Sequence, residues 1–275
     1  MENINQDIEN HYHKEGLFEE IILRLTEKGI DINNVSRADI SAIDELHVRG
    51  AAVSEELAHS IDLKGAHVLD VGCGLGGPCR LLADELGCQT TGIDLSKEHI
   101  RTATQLSRLV KLDDKTTFVV GNATQLPFND NTFDAVWTQH VQMNIPDKEK
   151  FYTEIFRVLK PGGHFLYYDI FKSGKSEISY PMPWASNETQ SFLIQSTAME
   201  QILDDLGFTK IQSKNQTQAG VDFFEHMIAR LKAFGPPTIG INVLMGESTQ
   251  PKLMNLLDHL KQGELIIQSG IYKKE

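Results

Sequence analysis

From Gly65 onward, short apolar runs bounded by turn residues alternate with longer stretches that mix apolar and polar positions. The runs predict strands at 66–71, 89–94, 116–121, 133–139 and 163–171, and the stretches between them predict helices at 77–87, 97–110 and 147–160. Pro161-Gly162-Gly163 stops the last of these helices and turns the chain into the fifth strand. Such alternation implies a parallel sheet with helices on both faces. Ligands then sit outside the carboxyl ends of the strands, at the point where strand order reverses.

The flanks read differently. Residues 1–15 are polar and predicted to be loosely ordered, with His11 and His13 flanking a tyrosine and read as solvated. Leu17–Leu25 has helical spacing, and Asp39–Ile61 predicts one or two further helices. After Phe171 the alternation breaks: 172–196 holds two prolines and the aromatics Tyr180, Trp184 and Phe192. A loop of that length in a compact domain is a functional lid or a disordered segment. A helix (197–206), a strand (208–214), a mostly helical insertion (221–262) broken at Gly235-Pro236-Pro237, and a last strand (264–273) complete the pattern. The expected fold is α/β, a Rossmann-like seven-stranded, mostly parallel sheet with helices on both faces. Residues 1–62 form an N-terminal helical leader or cap, and 63–275 the main domain, in which 172–196 and 221–262 are lid and insertion.

Composition narrows the function. The 275 residues, 40% hydrophobic, suffice for one large α/β domain with additions or two small ones. The net charge of −12 argues against nucleic acid as a partner, although a local basic patch is compatible with it. No run approaches the ~18 apolar residues of a membrane span, and the first twenty residues lack the apolar core of a signal peptide. Cys73, Cys79 and Cys88 make an odd count without a metal-type partner set, which suggests reduced thiols and a cytoplasmic location. No H-x-x-x-H or Cys/His ligand spacing occurs, so no metal is expected.

Candidate chemistry concentrates in HVLDVGCGLGGPCR, His67 to Arg80. A strand ends in Gly72, Gly74 and Gly76 and a helix follows. Glycines let a ligand approach the backbone, and the helix start presents free N–H groups. Asp94, ending the next strand, is placed to accept hydrogen bonds from ribose hydroxyls. Gly72, Gly74 and Gly77 also satisfy a dinucleotide G-x-G-x-x-G pattern, so the glycines alone do not choose the ligand. Asp70 does. Beside a pyrophosphate it would meet a repulsion of about 4 kcal/mol at roughly 4 Å and intermediate dielectric, whereas an ammonium and a sulfonium suit it. The string Val68–Gly76 resembles motif I of the class I S-adenosylmethionine (SAM) dependent methyltransferases.

That resemblance extends further. GNATQLPF (Gly121–Phe128) resembles the motif after strand three, where an acid binds the adenine amino group and the next backbone N–H a ring nitrogen. Here Asn122 replaces the acid and Ala123 follows, and an Asn carbonyl can still accept that bond. FDAVWTQH (Phe133–His140) resembles motif IV, and VLKPGGHF the turn before strand five. IDELHVRGA, YPMPWASNETQSFL and LLDHLKQGELIIQSGIY resemble the corresponding segments of a methyltransferase type 11 group that includes sarcosine/dimethylglycine N-methyltransferase-like enzymes. The resemblance implies SAM as cofactor, with Asp70, Gly72, Gly74, Gly76, Asp94, Leu95, Asn122, Ala123 and Gln139 around it. His140, Met143, Asn144, Tyr180 and Trp184 are then placed toward the acceptor.

Methyl transfer is an in-line displacement, so the protein must align the acceptor and exclude water. An acceptor that sheds a proton needs a base. His47 is the first candidate, with Asp44 three residues earlier on the same helical face to orient it, and Tyr168 is the second. Arg49 or Arg80 is available to hold an acceptor carboxylate. The leading expectation is methylation of a small-molecule amine of the sarcosine or dimethylglycine type. The alternatives are a lipophilic acceptor (quinone, sterol or phospholipid head group) and a SAM-binding protein without catalysis. A wide apolar mouth between 172–196 and the insertion favours the lipophilic acceptor; a narrow pocket with a buried arginine favours the amino acid. The acceptor and the oligomeric state are not legible in the chain.

Overall fold

The computed structural model describes residues 12, 14–174 and 177–275; His11 and His13 lie outside them. Seven strands form one sheet: β1 (His67–Val71), β2 (Gln89–Asp94), β3 (Thr116–Val120), β4 (Phe133–Gln139), β5 (Leu159–Lys172), β6 (Phe208–Asn215) and β7 (Leu265–Lys274). Their order is β3-β2-β1-β4-β5-β7-β6. The first five pair in parallel, and β7 runs antiparallel between β5 and β6. The chain leaves β1 toward β2 on one side and later returns to β4 on the other, so the carboxyl ends of β1, β2 and β4 open a crevice.

Helices α4 (Gly77–Leu86), α5 (Lys97–Leu109), α6 (Lys148–Val158) and α7 (Ser196–Asp205) cross over between strands. Side chains alternate across the sheet. Val68, Trp137, Tyr168 and Ile170 pack on one face, where α8 (Thr217–Phe234) and α10 (Thr249–Lys261) bring Phe224 and Leu257. Leu69, Val136, Phe165 and Tyr167 pack on the other, against Phe151 and Ile155 of α6 and Leu203 of α7. The insertion helix begins at Thr217, earlier than the pattern implied, because Thr217 Oγ1 accepts from the Ile267 N–H and stitches its start to β7. The fifth strand likewise begins at Leu159, with pairing to β4 jumping from Phe133↔Leu159 to Ala135↔His164 around the Pro-Gly-Gly corner.

The leader contributes α1 (Leu17–Glu27), α2 (Arg37–Asp44) and α3 (Ala51–Ala58). Leu17, Ile21, Ile40 and Ile43 share a core with Leu75 and Leu106, and with Ile239 and Val243 from the insertion, whose short helix α9 spans Asn242–Met245. Leader and insertion therefore close over the same end of the sheet. Tyr12 is fastened rather than loose: its hydroxyl donates to Asn144 Oδ1 at 3.0 Å. The segment after β5 is irregular but anchored. Met182 and Ala185 are fully buried. The Ser179 N–H and hydroxyl both donate to His259 Nε2 (3.0 and 2.8 Å), whose Nδ1–H donates to Glu264. Among the described residues no helix is long and apolar enough to cross a membrane.

Candidate functional site

The turn from β1 to α4 needs left-handed backbone. Gly72 has φ 75°, and a Cβ there would lie 2.5 Å from Val141 Cγ2, so any side chain would push away the loop that closes the crevice. Gly72, Cys73, Gly74 and Leu75 line a cleft of about 340 Å³. Gly76 does not: it is the left-handed N-cap of α4, turned against Phe118, and its role is to bend the chain. Cys73 and Cys79 are buried packing residues.

Asp94 ends β2 at the cleft. Its carboxylate accepts from the N–H groups of Gly74 and Ser96, each at 2.9 Å, with His99 Nδ1 3.7 Å away. Burial alone would raise its pKa, but His99 and the two N–H groups outweigh that and hold it below the ordinary value. It is an ionised acceptor with spare lone pairs facing the cleft. Asp70 is the opposite. It is 2% exposed and its one hydrogen bond is from Cys79 Sγ at 3.6 Å. Burial, with Glu45 and Asp94 nearby, pushes its pKa up to about 8. A buried carboxyl gains most from a cationic partner, so Asp70 with Asp94 fits a ligand bearing an ammonium and neighbouring hydroxyls.

Leu95, Gly121, Asn122, Ala123 and Thr124 form the far wall. The Asn122 carbonyl does not wait for a ligand: it accepts from the Thr124 N–H and hydroxyl at 2.8 and 2.9 Å. Both lone pairs are used, so only the Asn122 amide NH₂ is left to face an adenine, which corrects the expected acceptor role. Met143 and Asn144 also line the cleft. Asn144 is a clasp between Tyr12 and the Trp184 carbonyl, to which its Nδ2 donates at 2.9 Å.

At the inner end the cleft meets a cluster of buried polar groups. Trp137 Nε1 donates to Gln139 Oε1 at 2.9 Å and Ser54 Oγ lies 3.2 Å from the same oxygen, so Gln139 turns its NH₂ inward. His140 follows with φ 53°, a strained conformation held by its N–H bond to the Tyr168 carbonyl. Burial and the neighbouring His47 keep its imidazole well below the usual histidine range. Asp169 accepts from the N–H groups of Val141 and Gln142 and so fixes this loop from behind. His47 sits in the turn after α2, its side chain 6% exposed, with Nε2 2.9 Å from Glu45 Oε2. His47 Nδ1, Gln139 Nε2 and His140 Nε2 are buried without a partner. Each such group costs about 1–3 kcal/mol until a ligand pairs it.

Several expected placements are corrected. Asp44 does not orient His47; it takes Arg80, which is 0% exposed and also reaches the carbonyls of Leu75 and Ala103 and the Ser107 hydroxyl. Arg80 thus ties the leader to α4 and α5 and is closed to an acceptor. Glu45 takes the role given to Asp44. Helical spacing selected Asp44, but α2 ends there and the turn swings Glu45 under the ring. Tyr168 lies one layer back, its ring stacked on His140 at 5.1 Å. Tyr180 packs on the core beneath the segment and lines neither cavity, and Phe192 likewise lines neither.

Leu46, His47, His140, Pro183, Trp184 and Ile241 line both this cleft and a second chamber of about 880 Å³. Its walls are Phe223, Phe224, Met227, Leu231 and Phe234 of α8 with Pro236, Pro237 and Ile239. Arg49 lines it but is engaged by Glu56 and Gln216.

Residues 69–167 match the family model described as a methyltransferase domain. The chain is 40% identical over 126 residues to the sterol 24-C-methyltransferase of Schizosaccharomyces pombe, covering 46% of this chain and 33% of that one. It spans between 30% and 49% of the length of the curated relatives it matches. Two solved structures share the fold across almost the whole chain. One is a geranyl diphosphate C-methyltransferase from Streptomyces coelicolor A3(2) (TM-score 0.72, 16% identity, covering 99% and 98%). The other is a putative sarcosine dimethylglycine methyltransferase from Galdieria sulphuraria (TM-score 0.66, 18% identity, covering 94% and 98%).

Proposed function

We propose that this chain, whose β1–β5 core matches the methyltransferase domain, transfers the methyl group of SAM to a lipophilic small molecule. The observation that carries the reading is that the cleft holding Asp70 and Asp94 shares His47, His140 and Trp184 with a second chamber of about 880 Å³ walled by the aromatic and aliphatic side chains of α8. Bound SAM supplies an electrophilic methyl group on its sulfonium. Asp94 accepts from the ribose hydroxyls, Asp70 pairs with the ammonium, and Leu95 and Ala123 flank the adenine. His47, Pro183 and Trp184, which line both cavities, and Gln139, which lines the cleft, surround the place where the acceptor must be aligned and water excluded.

The amino-acid acceptor finds less support. Arg80 is committed to Asp44 and Arg49 to Glu56, so neither arginine waits for an acceptor carboxylate. The 40% identity to a sterol 24-C-methyltransferase runs in the same direction, while the solved structures, at 16–18% identity, include both kinds of acceptor and speak to the fold alone. The test is tritium transfer from labelled SAM to a panel of prenyl, sterol and alkyl-aromatic compounds beside sarcosine and dimethylglycine. We expect counts in the organic phase; label confined to the amino acids would overturn the reading.

A further inference from the structure

We propose that the acceptor ends in a weakly acidic hydroxyl, a phenol or enol on an apolar body, and that His47, positioned by Glu45, takes its proton. The inference rests on the methyltransferase reading and adds the functional group that reacts. Its basis is the polarity of the junction. Glu45 Oε2 accepts from His47 at 2.9 Å and from Ser54 Oγ at 2.8 Å. The carboxylate accepts only, so His47 Nε2 carries the hydrogen and Nδ1 presents a lone pair. Nδ1 is buried and unpartnered. Gln139 turns its oxygen to the Trp137 Nε1–H at 2.9 Å, which leaves its buried, unpartnered NH₂ as a donor. One proton acceptor beside one donor is the complement of a hydroxyl.

Other reacting ends fit less well. An alkene would seal these groups away unpaired. An ammonium would pass Lys28, Arg49 and Arg230, and Glu45, the one carboxylate lining the chamber among the described residues, is already engaged. A hydroxyl enters neutral, and the negative charge that develops on its oxygen is favoured by Lys28 and Arg230 on the chamber wall. The groups facing His47 are Glu45 from its own turn, Ser54 from α3, His140 from the β4 exit and the Tyr168 ring from β5. In the step, the hydroxyl proton passes to Nδ1 and the oxygen electron pair forms the O–CH₃ bond. The S–CH₃ bond breaks with its pair left on sulfur, giving S-adenosylhomocysteine. The imidazolium, paired with Glu45, then returns the proton to solvent.

The test uses the full chain saturated with S-adenosylhomocysteine, so that nothing turns over. The probes are 4-octyl-2-nitrophenol, whose phenolate absorbs in the visible, octylnitrobenzene and 4-octyl-2-nitroaniline. The nitrophenol should bind at least about tenfold tighter than octylnitrobenzene, because a site built for a hydroxyl rejects the analogue lacking it. Its phenolate band should appear about one pH unit below its solution pKa. Glu45→Gln should cut that band about fivefold or more while octylnitrobenzene binding stays within about twofold, a split that general loosening would not give. Equal binding of nitrophenol and octylnitrobenzene to the wild type, or preference for the nitroaniline, would overturn the inference and leave the methyltransferase reading intact. Calorimetry showing no S-adenosylhomocysteine binding would sink both.

Discussion

The cofactor cleft and the chamber beside it are made in different ways. The cleft is built at strand ends: Asp70 lies in the last residues of β1, Asp94 ends β2 and accepts from backbone N–H groups, and Asn122 follows β3 and is held by its own turn. The chamber is built from what is laid over the sheet: the turn after α2, the anchored segment at Pro183–Trp184, and α8 with the loop that follows it. The cleft carries the carboxyl groups of Asp70 and Asp94; the chamber is walled by the apolar side chains of α8, with Lys28, Arg49 and Arg230 among its lining residues. A pocket made of strand ends keeps its chemistry while one made of added segments can change size, which separates the question of cofactor from that of acceptor.

The sharpest break in this comparison is the joint between the two regions. Arg80→Ala leaves Asp44 buried and unpaired and should cost about 3–5 kcal/mol of stability, read by chemical denaturation; a loss under about 1 kcal/mol would show that the leader is not locked through this pair. Next is the cleft alone. Asp94→Ala frees the N–H groups of Gly74 and Ser96 and removes the ribose acceptor, and should weaken SAM by about 1.5–3 kcal/mol in calorimetry, with nitrophenol binding to the ligand-free chain unchanged.

Asp70 gives a pH-dependent test. With its pKa at about 8 in the ligand-free chain, the carboxyl is largely protonated at neutral pH, yet an ammonium pairs with the ionised form. SAM affinity should therefore rise about tenfold from pH 6 to 7, pass through a maximum near about pH 8 and fall above it as the ligand's ammonium deprotonates, with close to one proton released on binding at about pH 7. Stability runs the other way. The folded pKa lies above the unfolded one, so the native chain holds a proton that the unfolded chain has lost, and stability falls as pH rises from about 4 to 8. Asp70→Asn should flatten both slopes; buffer-independent binding enthalpies in the wild type would contradict the assignment. The smallest effect belongs to the chamber rim. Phe234, 85% exposed, lines the chamber, and Phe234→Ser should weaken octylnitrobenzene by about 1 kcal/mol without altering SAM affinity.

Strand ends and added segments also differ in how much of their placement is legible in the chain. The strand-end acids were found because a strand, a glycine turn and an acid lie close together in sequence, and the local pattern dictates their placement. Glu45 was missed because its partner His47 is two residues away, a spacing that matters only in the turn where α2 stops. Arg80 was misjudged because nothing near it in sequence shows that Asp44 fills its guanidinium. Tyr180 was misjudged because an aromatic in a long segment faces cavity or core according to how the segment is pinned, and that depends on His259 far along the chain.

Sequence alone determined the order of strands and helices, the glycine turn and the two carboxylates at its mouth, since backbone conformation and side-chain periodicity act over a few residues. Tertiary structure decided which buried charges are paired and which are left waiting, and the volume and lining of the acceptor chamber. Those depend on segments brought together from the leader, the segment after β5 and the insertion, and the energy of a buried polar group is set by neighbours in space.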